Sequence, residues 1–82
     1  MQYKIRIYHT FGPQKGNLKS EEFFSTAREM AIRFRELFRP GMFTLNPTAW
    51  KSESGGSEAH WKHMTLQEVA DIFVAIQFGE AI

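Results

Sequence analysis

Two Thr-x-x-Glu segments, at residues 26–29 and 65–68, each come directly before an amphipathic run of residues. In such a capping box the threonine hydroxyl and the glutamate carboxylate accept hydrogen bonds from backbone N–H groups at a helix start, so each box marks where a helix begins. The sequence therefore predicts one helix over residues 26–38 and a second over residues 66–78, with Gly79 ending the second.

Four short segments, two before each helix, have the features of β-strands. In residues 3–10 the side chains alternate, with Ile5 and Ile7 on one face, which is typical of a half-buried strand. The other three predicted strands are residues 18–24, 42–51 and 57–64. Pro47 interrupts the third strand and predicts an edge strand or a bulge there, because proline cannot donate a ladder hydrogen bond.

The two halves of the chain, residues 1–41 and 42–82, repeat one pattern of strand, glycine-containing turn, strand, capping box and helix. This repetition indicates an α+β fold of ββαββα order and suggests an internal duplication. The simplest packing is a four-stranded antiparallel sheet with both helices on one face, in a single domain over residues 1–82. A chain of this length has material for one modest core.

The predicted core combines the isoleucine face of the first strand with one apolar stripe from each helix. Its members are Ile5, Ile7, Phe34, Phe38, Phe43, Leu45, Val69, Phe73 and Ile76, and the helix stripes add Ala27, Met30, Ala31, Leu37, Leu66 and Ile72. On the opposite side of the first helix, Arg28, Arg35 and Arg39 form a cationic stripe. That stripe is either a solvated face or an anion-binding one.

The segment TLNPTAWKSESGGSEAHWKHMT, residues 44–65, predicts a hairpin folded at Gly55-Gly56, because glycine tolerates the positive φ of a two-residue turn. In that register Trp50 lies directly opposite Trp61. Three interpretations of this pair remain open: a structural or buried pair, a contact with another protein or copy, and a platform for nucleic-acid bases. A bulge at Pro47 would turn Trp50 toward the core.

The sheet face that the helices leave uncovered is the first candidate binding site. We expect it to present Lys4, Arg6, Tyr8, Thr48, Trp50, Trp61 and His63. Aromatic rings flanked by cations suit single-stranded nucleic acid, because bases stack on the rings while the cations track phosphates. The net charge of only +1 places that hypothesis second, since nucleic-acid-binding proteins usually have a clear basic excess.

A second candidate surface lies on the helices. Val74 and Phe78 fall on the side of the second helix that faces away from its predicted core stripe, and Ile32 lies on the charged side of the first. Exposed apolar residues there would mark an association surface. The first half of the chain has eight Lys and Arg against four Glu, and the second half has two Lys against five acidic residues. This asymmetry could steer an anionic partner to the first half, and it could equally let two copies attract each other head to tail.

Catalytic and metal sites have little support in the sequence. The absence of Cys excludes disulfides and Cys-based zinc sites. His60 and His63 are three residues apart and face opposite sides of a strand, so they could bind one metal together only if the segment were helical. Glu53, Glu58 and His60 could meet on one face as an ion-binding trio, but zinc sites usually have more ligands. There is no nucleophile-elbow motif, so we expect no enzyme, no cofactor and no metal.

The sequence favours a binding protein. It contains no signal-peptide pattern and no apolar run long enough for a membrane span, so we expect a soluble cytoplasmic protein. The leading hypothesis is a small non-catalytic protein-interaction module of the adaptor or inhibitor type that self-associates as a homodimer. The alternative is single-stranded nucleic-acid binding through the basic and aromatic sheet face. A small enzyme or metal-binding protein comes third.

Overall fold

The computed structural model describes residues 1–38 and 45–79. Its strands are β1 (Gln2–His9), β2 (Leu18–Phe24), β3 (Leu45–Ser52) and β4 (Lys62–Met64), and its helices are α1 (Ala27–Leu37) and α2 (Leu66–Gln77). The strands form one antiparallel sheet in the order β2-β1-β3-β4, which confirms the predicted α+β class and the four-stranded antiparallel sheet. None of the described helices has the length and apolar character needed to cross a membrane.

Both helices begin at the predicted capping boxes. At α1, Thr26 Oγ1 accepts a hydrogen bond from the Glu29 backbone N–H at 3.1 Å. At α2 the box is complete: Thr65 Oγ1 accepts from the Glu68 N–H, and Glu68 Oε1 accepts from the Thr65 N–H, each at 3.1 Å. Gly79 follows α2 with a φ of 76°, a conformation that glycine adopts without steric cost, so it ends the helix as predicted.

The core lies between the sheet and the two helices, which pack on the same face. The buried cluster consists of Ile5, Ile7, Ala49 and Met64 from the strands with Met30, Ala31, Phe34, Leu37 and Val69 from the helices. Tyr3, Phe24, Ile72, Phe73 and Ile76 pack against it while partly buried. The predicted isoleucine face of β1 and the central part of each predicted helix stripe are therefore confirmed.

Two predicted core residues are instead exposed, and this corrects the predicted core at the helix ends. Phe38 has 56% of its surface exposed and Leu66 has 59%. Phe38 is the residue that caps the C-terminus of α1, and Leu66 is the first residue of α2, so both lie at the ends of helices. Phe43 and the side chain of Leu45 lie outside the described residues.

The connection between β3 and β4 is longer than the predicted two-residue turn. Gly55 and Gly56 have positive φ angles of 71° and 82°, so they do bend the chain. However, β3 ends at Ser52, a short 3₁₀ helix spans Glu58–His60, and β4 begins only at Lys62. The predicted fourth strand over 57–64 is thus three residues long, because the 53–61 connection forms a structure of its own.

This connection shifts the register of the second hairpin. Trp50 is paired with His63, so the predicted pairing of Trp50 with Trp61 is wrong by two residues. A shift of two residues keeps each side chain on its original face, because side chains alternate along a strand with a period of two. Trp50, Trp61 and His63 therefore still belong to one face of the sheet.

Pro47 was predicted to lie in an edge strand or at a bulge, and the prediction of an edge strand is wrong. β3 lies between β1 and β4, and the irregularity in the sheet is in the β1–β2 pair, between Ile7 and Tyr8. Within the described part of the chain, β4 pairs only with residues 49–51 of β3, so Pro47 lies beyond the end of β4. Its missing N–H therefore removes no hydrogen bond to that strand. The predicted start of the third strand, 42–44, lies outside the described residues.

Candidate functional site

The sheet face turned away from the helices, called the open face below, is partly covered by the 53–61 connection. Ser52 is buried and anchors the start of this connection, because its Oγ accepts a hydrogen bond from the Gly55 N–H at 2.9 Å. Gly55 has a φ of 71°, which residues with a side chain rarely adopt, and a Cβ there would also lie 2.5 Å from the end of the Gln2 side chain, so the position favours glycine. The connection then returns across the open face and brings Glu58 and Trp61 onto it.

Lys4 is buried on the open face, with 3% of its surface exposed. Its Nζ lies 3.1 Å from Glu21 Oε2 and 4.4 Å from the centre of the Trp61 ring system. Phe23 packs edge-on against Trp61 with ring centres 6.2 Å apart. An ammonium group so far from water requires a paired charge and aromatic faces to replace its hydration, and this cluster supplies both.

Arg6 lies beside this cluster and is held by two carboxylates. Its Nε donates to Glu21 Oε2 at 2.9 Å, and its terminal nitrogen pairs with Glu58 from the 53–61 connection. The guanidinium also lies 4.8 Å from the Trp50 ring centre. Hydrogen bonding to Glu58 first, and then to Glu21, raises the pKa of Arg6 above its ordinary value, so Arg6 stays charged at every physiological pH.

The structure brings the seven predicted sheet-face residues onto one face but does not leave them equally accessible. Trp61 is 9% exposed, and Trp50, Thr48 and Tyr8 are half-buried. Trp50 Nε1 donates to Thr48 Oγ1 at 2.9 Å, and His63, which is exposed, packs edge-on against Trp50 at 4.9 Å. The carboxylates of Glu21 and Glu58 neutralise the charges of Lys4 and Arg6. Trp61 lies on the same face but is almost completely covered.

The carboxylates of the open face predict a pH dependence of stability. The hydrogen bond from Arg6 holds the pKa of Glu21 below its ordinary value near 4.5. The unfolded chain therefore binds a proton more readily than the folded one near that pH, and stability is lost as pH falls through about 4.5 toward the folded-state pKa. We expect the thermal midpoint to fall between pH 6 and pH 3, and to fall less steeply in Glu21→Gln. Equal pH slopes for wild type and variant would contradict this assignment.

The second surface is an apolar ridge along α2. Leu66, Ala70, Val74 and Phe78, here called the α2 ridge, recur at intervals of four residues and are all exposed. Val74 is 49% exposed and Phe78, which follows the last turn of α2, is 79% exposed. Residues four apart are neighbours along a helix surface, so the α2 ridge is a continuous row of apolar side chains.

An apolar groove adjoins the N-terminal end of the α2 ridge. It has a volume of about 300 Å³ and is lined by Phe34, Arg35, Phe38, Leu66, Val69, Ala70 and Phe73. Phe38 stacks on Phe34 with ring centres 5.6 Å apart, and the Arg35 guanidinium lies 5.8 Å from the Phe73 ring centre at the rim. Exposed apolar surface of this kind typically marks a contact with another molecule.

All three residues predicted to form an interface are exposed. Val74 and Phe78 lie on the α2 ridge, whereas Ile32 belongs to α1 and does not line the groove. The sequence interpretation missed Phe38 and Leu66, because the helical period assigned both to the core. The signal that could have corrected it was their position at the helix ends, where a core stripe loses its cover.

The described residues include no group of three or more His, Asp or Glu side chains placed to hold a metal ion. Glu58, one member of the predicted ion-binding trio, is instead paired with Arg6. A polar cavity of about 420 Å³ next to the 53–61 connection is lined in part by Lys51, His60 and Lys62. Lys51 is already paired with Glu68 at 2.8 Å.

Comparisons with protein-family models, with curated proteins and with solved structures found no match for this chain. The functional interpretation therefore depends on the two surfaces themselves.

Proposed function

We propose that this protein is a small non-catalytic protein-interaction module that associates with a second copy of itself through the α2 ridge and the adjoining groove. The observation that carries the proposal is the exposure of the α2 ridge, above all of Phe78. Soluble domains rarely leave a contiguous row of large apolar side chains in water unless another molecule covers it.

The size of the apolar surface supports a weak homodimer. Phe38 and Phe78 together expose roughly 270 Å² if each residue covers about 200 Å². Leu66 and Val74, each about half exposed, add to this on both copies. Covering this surface in a symmetric pair buries an area that approaches the roughly 1,000 Å² of a specific but weak interface. We therefore expect dissociation in the micromolar range.

Charge supports the same surface. Arg28 and Arg35 form no ion pair within residues 1–38 and 45–79, and Arg35 lines the groove, so a cation is available at its rim. Asp71 on α2 accepts a hydrogen bond from Gln67 at 2.8 Å and is likewise without a cationic partner in the described residues. A polar rim around an apolar centre is the usual anatomy of a protein interface. Arg39, the third member of the predicted cationic stripe, lies outside the described residues.

The nucleic-acid alternative remains a prediction and takes second place. It requires Lys4 and Arg6 to contact phosphates and Trp61 to stack with bases. Lys4 and Trp61 are buried, and Arg6 is paired with Glu21 and Glu58. The 53–61 connection would have to leave the open face before bases could reach Trp61, and two carboxylates would then compete with the phosphates.

The test of the proposal is a charge placed on the α2 ridge. We expect Phe78→Asp to weaken self-association at least about 100-fold, because the charge would have to be buried without a partner. Phe11→Asp is a matched control: Phe11 is 68% exposed but lies in the β1–β2 connection, away from the helix layer. Light scattering should give a monomer mass for Phe78→Asp where Phe11→Asp matches wild type. Equal masses for the two variants would contradict the proposal, and circular dichroism would check that both are folded.

A further inference from the structure

We infer that the two copies pack with their α2 helices antiparallel, so that Phe78 of each copy lies against Leu66 and enters the groove of the other. This inference rests on the proposed self-association and specifies the partner of the α2 ridge, which is the same ridge running in the opposite direction. It assigns Phe78 as the inserting side chain and Leu66, with the groove beside it, as the receptor.

The spacing of the ridge supports an antiparallel arrangement. Leu66 and Phe78 are twelve residues apart, which is about 18 Å along a helix at a rise of 1.5 Å per residue. The ridge has one prominent, highly exposed ring at its C-terminal end and a groove at its N-terminal end. In an antiparallel pair the Phe78 ring of each copy reaches the groove of the other copy. The interface is then self-complementary, as a twofold interface must be.

The middle of the ridge fits the same arrangement. Ala70 and Val74 lie on either side of its centre, so an antiparallel pair brings Ala70 of one copy against Val74 of the other. A small side chain opposite a larger one lets two helices approach closely along their length. The central contacts therefore do not keep the two ends of the ridge apart.

A parallel arrangement fits the surface less well. It would place Phe78 against Phe78 and Leu66 against Leu66, with both grooves at the same end and both rings about 18 Å from them. The grooves beside Leu66 would then remain uncovered, and the apolar area buried would be smaller. The antiparallel arrangement is the one that covers both the groove and the most exposed phenylalanine.

A pair of opposite charges tests the arrangement. Leu66→Glu places an acid in the first turn of α2, and Phe78→Lys places a base at its C-terminal end, so each substitution agrees with the helix dipole and leaves the helix stable. In a pair formed by one variant alone, each introduced charge meets an apolar side chain of the other copy, Phe78 in one variant and Leu66 in the other. Self-association should then weaken at least about 100-fold. In a mixture, the introduced carboxylate of one chain would meet the introduced ammonium group of the other, while the unchanged Phe78 and Leu66 would meet at the opposite end.

The mixture is therefore expected to form a heterodimer at least about tenfold tighter than either variant's own association, measured by sedimentation. The matched control is Leu66→Glu mixed with Phe78→Glu, where like charges meet and no such gain is expected. If wild type associates and the mixture of opposite charges gains nothing over this control, the antiparallel arrangement is refuted while the proposed function stands. If wild type itself is a monomer at every concentration, the proposed function fails and this inference fails with it.

Discussion

Replacing Phe34 by alanine is expected to lower the free energy of unfolding by about 3–5 kcal/mol. Phe34 is 4% exposed and extends from α1 into the central cluster of the core, which combines residues of the sheet and of both helices. Removing the ring loses its burial and leaves a cavity that rigid neighbours fill only in part. Because small domains are stable by only about 5–15 kcal/mol, this is a large share of the total. Urea denaturation followed by tryptophan fluorescence measures it.

Phe11→Ala provides the control for this experiment. Phe11 is the same residue type but lies exposed in the β1–β2 connection, so its removal should change stability by less than about 0.5 kcal/mol. Phe73→Ala should fall between the two, because Phe73 is only partly buried against the core. A loss below about 1 kcal/mol for Phe34→Ala would show that the buried face of α1 is assigned wrongly.

Removing the carboxylate that Lys4 and Arg6 share is expected to be the second most damaging change. Glu21→Ala leaves Lys4 buried without its counter-ion, and breaking a buried ion pair from one side typically costs about 3–5 kcal/mol. Glu21 keeps 27% of its side chain exposed, so water can replace part of the lost interaction and we expect about 2–3 kcal/mol. Chemical denaturation at pH 7 measures the loss.

Lys4→Met separates the charge from the packing at the same site. Methionine is similarly long and apolar, so it keeps contact with Trp61, while Glu21 keeps its bond to Arg6. Replacing a buried charge by an apolar side chain of similar shape is often neutral, and we expect a change of less than about 1 kcal/mol. A loss of free energy of unfolding for Lys4→Met as large as that for Glu21→Ala would contradict this expectation. It would show that the Lys4–Glu21 ion pair is itself a net source of stability.

The elements of the fold could be predicted because their signals are local. The capping boxes at Thr26 and Thr65 and the alternation around Ile5 each depend on residues within a few positions of one another. Both helix starts and the alternation were confirmed at the predicted places, with the Thr26 hydroxyl capping α1 and a complete box at Thr65 capping α2, since the hydrogen bonds of a capped helix are made within its first turn. The sheet order, with β1 beside β3, depends on contacts between distant parts of the chain and could not be read in this way.

The closure of the open face could be predicted only in part. Alternation in β1 placed Lys4 and Arg6 on one face, but it did not reveal what would neutralise them. Glu21 and Phe23 were missed, although an antiparallel hairpin of β1 and β2 pairs Glu21 with Arg6 and Phe23 with Lys4. That pairing depends on the irregularity between Ile7 and Tyr8, because a regular register continued from Tyr8 and Leu18 would place Ser20 opposite Arg6. Arg6's second partner, Glu58, depends on the path of the 53–61 connection, which no local pattern specifies.

The ends of the helices were where periodicity misled most. The apolar period continues through Phe38 and Leu66, but both residues lie at the ends of their helices and are more than half exposed. A hydrophobic period describes which side chains share a face and not how far the opposing layer reaches. The same residues that failed as core members therefore became part of the candidate interface.

The central claim, that a second copy covers the α2 ridge, is tested most directly by the mass of the wild-type protein in solution. Sedimentation equilibrium over a concentration series from about 1 μM to about 1 mM should show the mass rising from 9.5 kDa for one chain toward twice that value. The rise should persist at high salt, because burial of apolar side chains is not screened by ions. A mass that stays at 9.5 kDa up to the highest concentration would contradict the claim.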